Sequence, residues 1–176
     1  MSAGKIKRLV LAALFTALTA VATMVIQVPS PMSGYVNLGD CMVLLSAWVL
    51  GPFVGAAAAG VGSMLTDILT GYGYYAPGTL VIKAAMALLA GLIFRAMAGE
   101  GKRGARTFAA RLTGGLGAEA VMVLGYFAYA GLILQRGLGA AASIPGNLVQ
   151  AVFGLAAALA LAQILERARV LELAAK

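Results

Sequence analysis

Asp40, Asp67, Lys83 and Glu119 stand inside stretches that are otherwise almost free of charge. An ionisable side chain in apolar surroundings is costly unless it is paired or faces a cavity. These four are therefore the first candidates for chemistry. The chain lacks the usual parts of a catalyst to go with them. It contains no histidine, so the commonest proton shuttle and metal ligand is missing. Its one cysteine, Cys41, allows neither an internal disulfide nor a multi-cysteine metal site. No nucleophile elbow, paired-carboxylate metal motif or Gly-rich loop ending in Lys-Ser/Thr occurs. The expectation is a protein that is not an enzyme, uses no cofactor or metal, and needs a partner for any ATP-driven step.

The placement of the four points to binding instead. Asp40 opens one apolar segment, Asp67 closes the next, and Lys83 lies early in the one after. Glu119 sits deeper in a later segment and reads as structural. Near the first three come Asn37, the tyrosines Tyr72, Tyr74 and Tyr75, then Tyr126 and Tyr129, and finally Asn147 and Gln150. Together they suit a pocket with aromatic walls and a few fixed polar groups. Each also has a plainer reading. Asn37 and Asp40 suit a helix cap, and Asp67 and Lys83 suit an ion pair. The tyrosines suit an aromatic belt at a membrane surface, and Trp48 suits an anchor there. Asn147 and Gln150, three apart, share a helix face and could bind another helix.

The elements that must position these groups are transmembrane helices. Of 176 residues, 62% are hydrophobic and only 11% charged, against about 25% charge in an ordinary soluble domain. Mean hydropathy is +0.96. Such a chain cannot cover its surface in water but suits a bilayer. The apolar runs predict six helices: Leu9–Val28, Leu38–Leu50, Phe53–Leu69, Gly78–Met97, Phe108–Leu134 and Pro145–Leu165. Gly34–Asn37 reads as an entry loop. Gly51-Pro52 divides what would otherwise be one overlong span. Net charge is +7. Lys5, Lys7 and Arg8 precede the first helix. Arg95, Lys102, Arg103, Arg106 and Arg111 surround the fourth connection, and Arg167, Arg169 and Lys176 follow the sixth helix. Six crossings put all three clusters on one side, which the positive-inside rule makes cytoplasmic. The prediction is a single all-α domain over residues 1–176, with both termini cytoplasmic and the polar groups collected outside.

Ala13 and Ala17 leave a smooth face on the first helix, of the kind that lets another helix approach closely. Gly51, Gly55 and Ala59 make a similar stripe, read as packing within the bundle. With Ala13-x-x-x-Ala17, the run Gly34–Asp40, the run Gly51–Asp67 and Tyr75-Ala-Pro77 leading to Lys83, the sequence resembles a substrate-binding (S) component of an energy-coupling factor (ECF) vitamin transporter. The resemblance covers nearly the whole chain. It implies capture of a vitamin or precursor at the outer face of a prokaryotic plasma membrane. It also implies docking through Ala13 and Ala17 on a transmembrane coupling (T) component served by two cytoplasmic ATPase subunits. The residues expected to line the substrate site are Asn37, Asp40, Asp67, Tyr74, Tyr75, Lys83, Tyr126, Asn147 and Gln150. The favoured ligand is hydroxymethylpyrimidine or a pyridoxine-like ring, ahead of riboflavin. The alternative is a proton- or ion-coupled carrier acting alone, with Asp67, Lys83 and Glu119 as its relay.

Overall fold

The apolar runs form helices. The computed structural model describes residues 2–30, 34–98 and 104–168. The elements are α1 (Ala3–Val25), β1 (Gln27–Ser30), β2 (Gly34–Asn37), α2 (Gly39–Leu50), α3 (Pro52–Leu69), α4 (Ala76–Ala98), α5 (Ala105–Ala128) and α6 (Ile144–Arg167). A π-helical turn, Tyr129–Ile133, prolongs α5, and a 3₁₀ segment, Gly137–Ser143, leads into α6. Lys102, Arg103, Arg169 and Lys176 of the basic clusters lie outside the described residues.

α1, α3, α4, α5 with its π-turn, and α6 with its 3₁₀ lead are each long and apolar enough to cross a membrane. α2 is not. Its 12 residues span about 18 Å at 1.5 Å each, short of a hydrocarbon core of about 30 Å. It lies instead at the centre of the bundle, packed on α1, α3, α4 and α6. Ten of its residues are buried, as expected of a helix that is hydrophobic all round. Val43, Leu44 and Ala47 meet Met86, Ala87, Ala90, Ala118, Met122 and Ala158 in the core. Gly51 makes the sharp turn from α2 to α3 at φ +83°, a conformation glycine adopts without steric penalty. Gly55 lies against the α2 backbone, where an added Cβ would stand 2.7 Å from the Ala47 Cα. The second small-residue stripe thus serves packing inside the bundle.

One sequence expectation fails at the end of the first helix. α1 stops at Val25, and residues 27–30 pair with 34–37 as an antiparallel hairpin, Val28 opposite Val36 and Pro29 opposite Tyr35. The β-branched residues Val25, Ile26 and Val28 favour extended backbone, and Pro29 pushes Val28 out of the helical region. The entry loop is therefore half of a β-hairpin. Trp48 also differs from expectation. It is only 9% exposed and belongs to the core. The Arg111 guanidinium lies 5.8 Å from its ring and 5.4 Å from that of Phe94, and it bonds Glu166 at 2.8 Å.

The two ends of the bundle differ in character. At one, Arg95 approaches Gly51, Arg106 donates to the Met97 carbonyl at 2.6 Å, and Arg111 meets Glu166. At the other, the hairpin rests on the start of α6, with Val36 and Ser30 against Gly146.

Candidate functional site

The hairpin end holds a cavity that is partly open to the surroundings. Asn37, Asp67, Tyr75, Lys83, Tyr126, Asn147 and Gln150 line it. Two other residues expected at the site stand apart. Asp40 lies beneath the cavity, fully buried. Tyr74 is 42% exposed; its carbonyl accepts the Tyr129 hydroxyl at 2.9 Å and its ring packs 5.1 Å from Tyr75.

The floor is a closed network. Asp40 occupies the first turn of α2, where the helix dipole favours a carboxylate. Its Oδ1 pairs with the Lys83 ammonium from α4. Its Oδ2 accepts from Gln150 Nε2 at 2.6 Å. Gln150 Oε1 in turn accepts the Asn37 backbone N–H at 2.8 Å and Nδ2 at 3.2 Å. Asn37 Oδ1 receives the N–H of Gly39, the first residue of α2, at 2.7 Å, although the N-cap position itself is Leu38. Lys83 therefore pairs with Asp40 and not with Asp67. Gln150 shares its helix face with Asn147 and binds the hairpin and α2. α6 can come this close because residue 154 is glycine: a Cβ there would lie 2.8 Å from Asp40 Cβ.

Glu119 lies closer to this network than the sequence suggested. It is 4% exposed, and that same Cβ on Gly154 would stand 3.5 Å from its Oε1. Neither of its oxygens has a hydrogen-bond partner among the described residues.

The mouth is aromatic. Tyr35 packs against Tyr72 with ring centres 4.6 Å apart, and Tyr75 lies 6.1 Å from Tyr126 and 6.0 Å from Tyr129. Lys83 Nζ lies 5.5 Å from the Tyr126 ring centre, and Arg136 covers Tyr75 at 5.9 Å. The Tyr35 hydroxyl donates to Asp67 Oδ1 at 2.5 Å, tying the hairpin to the end of α3. The Thr79 and Tyr126 hydroxyls meet at 3.1 Å.

The cavity thus combines tyrosine faces with buried amide, hydroxyl and charged groups, beside the hairpin. The model of a family described as ECF-type riboflavin transporter, S component, matches residues 3–167. The chain belongs to this family. S components are substrate-binding subunits of transporters, not enzymes, and this S component is a multi-pass membrane protein. It is 38% identical to an uncharacterised protein of Pyrococcus woesei over 148 residues, 84% of this chain and 93% of that one. It shares its fold with a solved structure of the S component of a bacterial ECF transporter, at 21% identity and a TM-score of 0.69. That match covers 93% of this chain and 97% of the other.

Sequence reasoning passed over several lining residues of this S component: Thr23, Ser30, Tyr35, Ser63, Thr79 and Ser143. Part of the signal was present. Ser63 precedes Asp67 by four residues, Thr79 precedes Lys83 by four and Ser143 precedes Asn147 by four, the spacing of one helix face. Thr23 and Ser30 carry no such mark. Tyr35 enters the site only because the hairpin folds back onto α3.

Proposed function

We propose that this S component captures a vitamin or vitamin precursor with an aromatic ring in the hairpin-end cavity and delivers it to an ATP-driven importer. The observation that carries the reading is the cavity itself. In a protein of this family, it combines Tyr75 and Tyr126 with Asn37, Asp67, Lys83, Asn147 and Gln150 on one wall-and-floor surface. Tyrosine faces suit a flat heterocycle, and the amide and charged groups suit its hydroxyl, amine and ring-nitrogen substituents. Riboflavin, which the family's description names, stands first among the ligands to try. Hydroxymethylpyrimidine and pyridoxine follow, because the same groups suit a smaller ring.

The topology follows from charge. Lys5, Lys7, Arg8, Arg95, Arg106, Arg111 and Arg167 belong to the end away from the hairpin, and Arg136 to the hairpin end. With α2 and the hairpin together counted as one crossing, the chain crosses six times. The positive-inside rule then puts both termini in the cytoplasm and the cavity outside, in the plasma membrane of a prokaryote. Ala13 and Ala17 lie on an exposed face of α1, where a T component served by two ATPase subunits would dock.

The test is mass spectrometry of small molecules released from the purified chain, paired with thermal shifts against riboflavin, hydroxymethylpyrimidine and pyridoxine. A ligand that binds only the folded state must raise its melting temperature. Release and stabilisation by one ring compound support the reading. No release and no shift across the panel refute it. Gradient-driven uptake by the chain alone in vesicles would instead favour a carrier with Asp67, Lys83 and Glu119 as its relay.

A further inference from the structure

Counting hydrogen bonds around the cavity separates two kinds of polar residue. On the floor, Lys83 and Gln150 occupy the two oxygens of Asp40, and Gln150 and Asn37 use both ends of their amides on each other, Asp40 and Gly39. These groups hold α2, α4, α6 and the hairpin together, and what remains on them for a ligand is chiefly N–H donors. The α3 wall is different. Ser63 Oγ and Asp67 Oδ2 have no hydrogen-bond partner among the described residues, and both residues are only 2% exposed. The Thr79 hydroxyl also lies within hydrogen-bonding reach of the Asp67 carboxylate and meets the Tyr126 hydroxyl at 3.1 Å, where either oxygen can donate.

Ser63 is an exception to a pattern. Thr16, Thr19 and Thr23 on α1, and Thr66 and Thr70 at the end of α3, each bond the carbonyl four residues back. That is the usual way a helix satisfies a hydroxyl in apolar surroundings. Ser63 does not. A buried polar atom without a partner is costly, and here two of them stand one helical turn apart and line the same cavity.

We propose that Ser63 and Asp67 form a donor-reading subsite, the pair that selects which ring this S component accepts. The inference rests on the cavity being the vitamin site. A carboxylate oxygen only accepts, whereas a hydroxyl both donates and accepts. The pair therefore requires a ring edge carrying an N–H or O–H donor, with an acceptor beside it for the Ser63 hydroxyl. Tyr35 fixes the other Asp67 oxygen, so the carboxylate is held in place before the ligand arrives. A flavin imide edge and an aminopyrimidine edge both present this pattern.

The test is calorimetric titration of the full chain, purified in detergent and freed of ligand. Riboflavin is compared with N3-methylriboflavin, and 4-amino-5-hydroxymethyl-2-methylpyrimidine with its 4-dimethylamino analogue. One parent compound is expected to bind at least about tenfold more tightly than its methylated form, as loss of a hydrogen bond to a charged group implies. Asp67→Asn should weaken the parent by a similar factor and shrink the difference between parent and methylated form. Ser63→Ala should weaken it by about threefold or more. Equal affinity of wild type for a parent and its methylated form overturns the subsite while leaving the vitamin site standing. So does unchanged affinity in both variants. If neither parent binds wild type, the subsite falls, and the vitamin-site reading falls with it unless pyridoxine binds. Should Asp67→Asn fail to fold, the methylation comparison on wild type decides alone.

Discussion

Replacing Lys83 with methionine tests the floor of the cavity most directly. Lys83 is 2% exposed and Asp40 fully buried, and the two are paired. Methionine keeps the apolar stem and removes the ammonium. Asp40 then retains Gln150 as its one hydrogen-bond donor, with the Glu119 carboxyl nearby and no cation to offset either. Breaking a buried pair by deleting one partner costs about 3–5 kcal/mol, far more than removing both charges together. For a chain of this size each kcal/mol moves the melting temperature by about 2–4 °C, so Lys83→Met should melt roughly 6–20 °C lower. Adding Asp40→Asn should recover much of that loss, because an amide can still accept from Gln150 without carrying an unpaired charge. The assay is thermal unfolding of the purified protein in detergent, followed by the emission of Trp48. Two results would refute the reasoning: a Lys83→Met protein that melts within about 1 °C of wild type, or a double variant no more stable than the single one. Either would mean that the pair contributes nothing to holding α2 against α4.

Three further outcomes follow. Tyr35→Phe deletes the 2.5 Å bond to Asp67 and should loosen the hairpin, raising the ligand Kd by about threefold to tenfold; an unchanged Kd and unchanged proteolysis of the hairpin would remove Tyr35 from the closure. Gly154→Ala places a methyl 2.8 Å from Asp40 Cβ and should cost about 1–3 kcal/mol by overpacking, visible as a lower melting temperature; a neutral result would mean that α6 can shift away without loss. Ala13→Trp or Ala17→Trp, on the exposed face of α1, should abolish co-purification with the T component and the ATPases while ligand affinity stays within about twofold. Normal assembly with both bulky side chains would refute docking through that face.

Sequence by itself determined the solvent and part of the cavity's lining. Eleven per cent charge and long apolar runs exclude a water-exposed fold whatever the packing, because that argument needs no contacts. The Gly51-Pro52 break is equally local: it depends on two residues' own backbone preferences, and the structure turns there. Asp67, Lys83, Asn147 and Gln150 were legible for a similar reason, since polar groups in apolar helices are costly wherever the helix goes. Tertiary structure alone decided the partners. Lys83 chose Asp40, 43 residues away, over Asp67, and Gln150 reached Asn37 across 113 residues. No spacing along one helix encodes those choices, which depend on how the helices cross. The hairpin is the intermediate case. Its β-branched residues and Pro29 were visible, but the apolar run masked them, and only packing against α6 and the Tyr35 bond to α3 make the short strand pair worth forming. The free oxygens of Ser63 and Asp67 lay furthest from view. An unsatisfied atom is defined by every neighbour that might have bonded it, and only the folded chain fixes those neighbours.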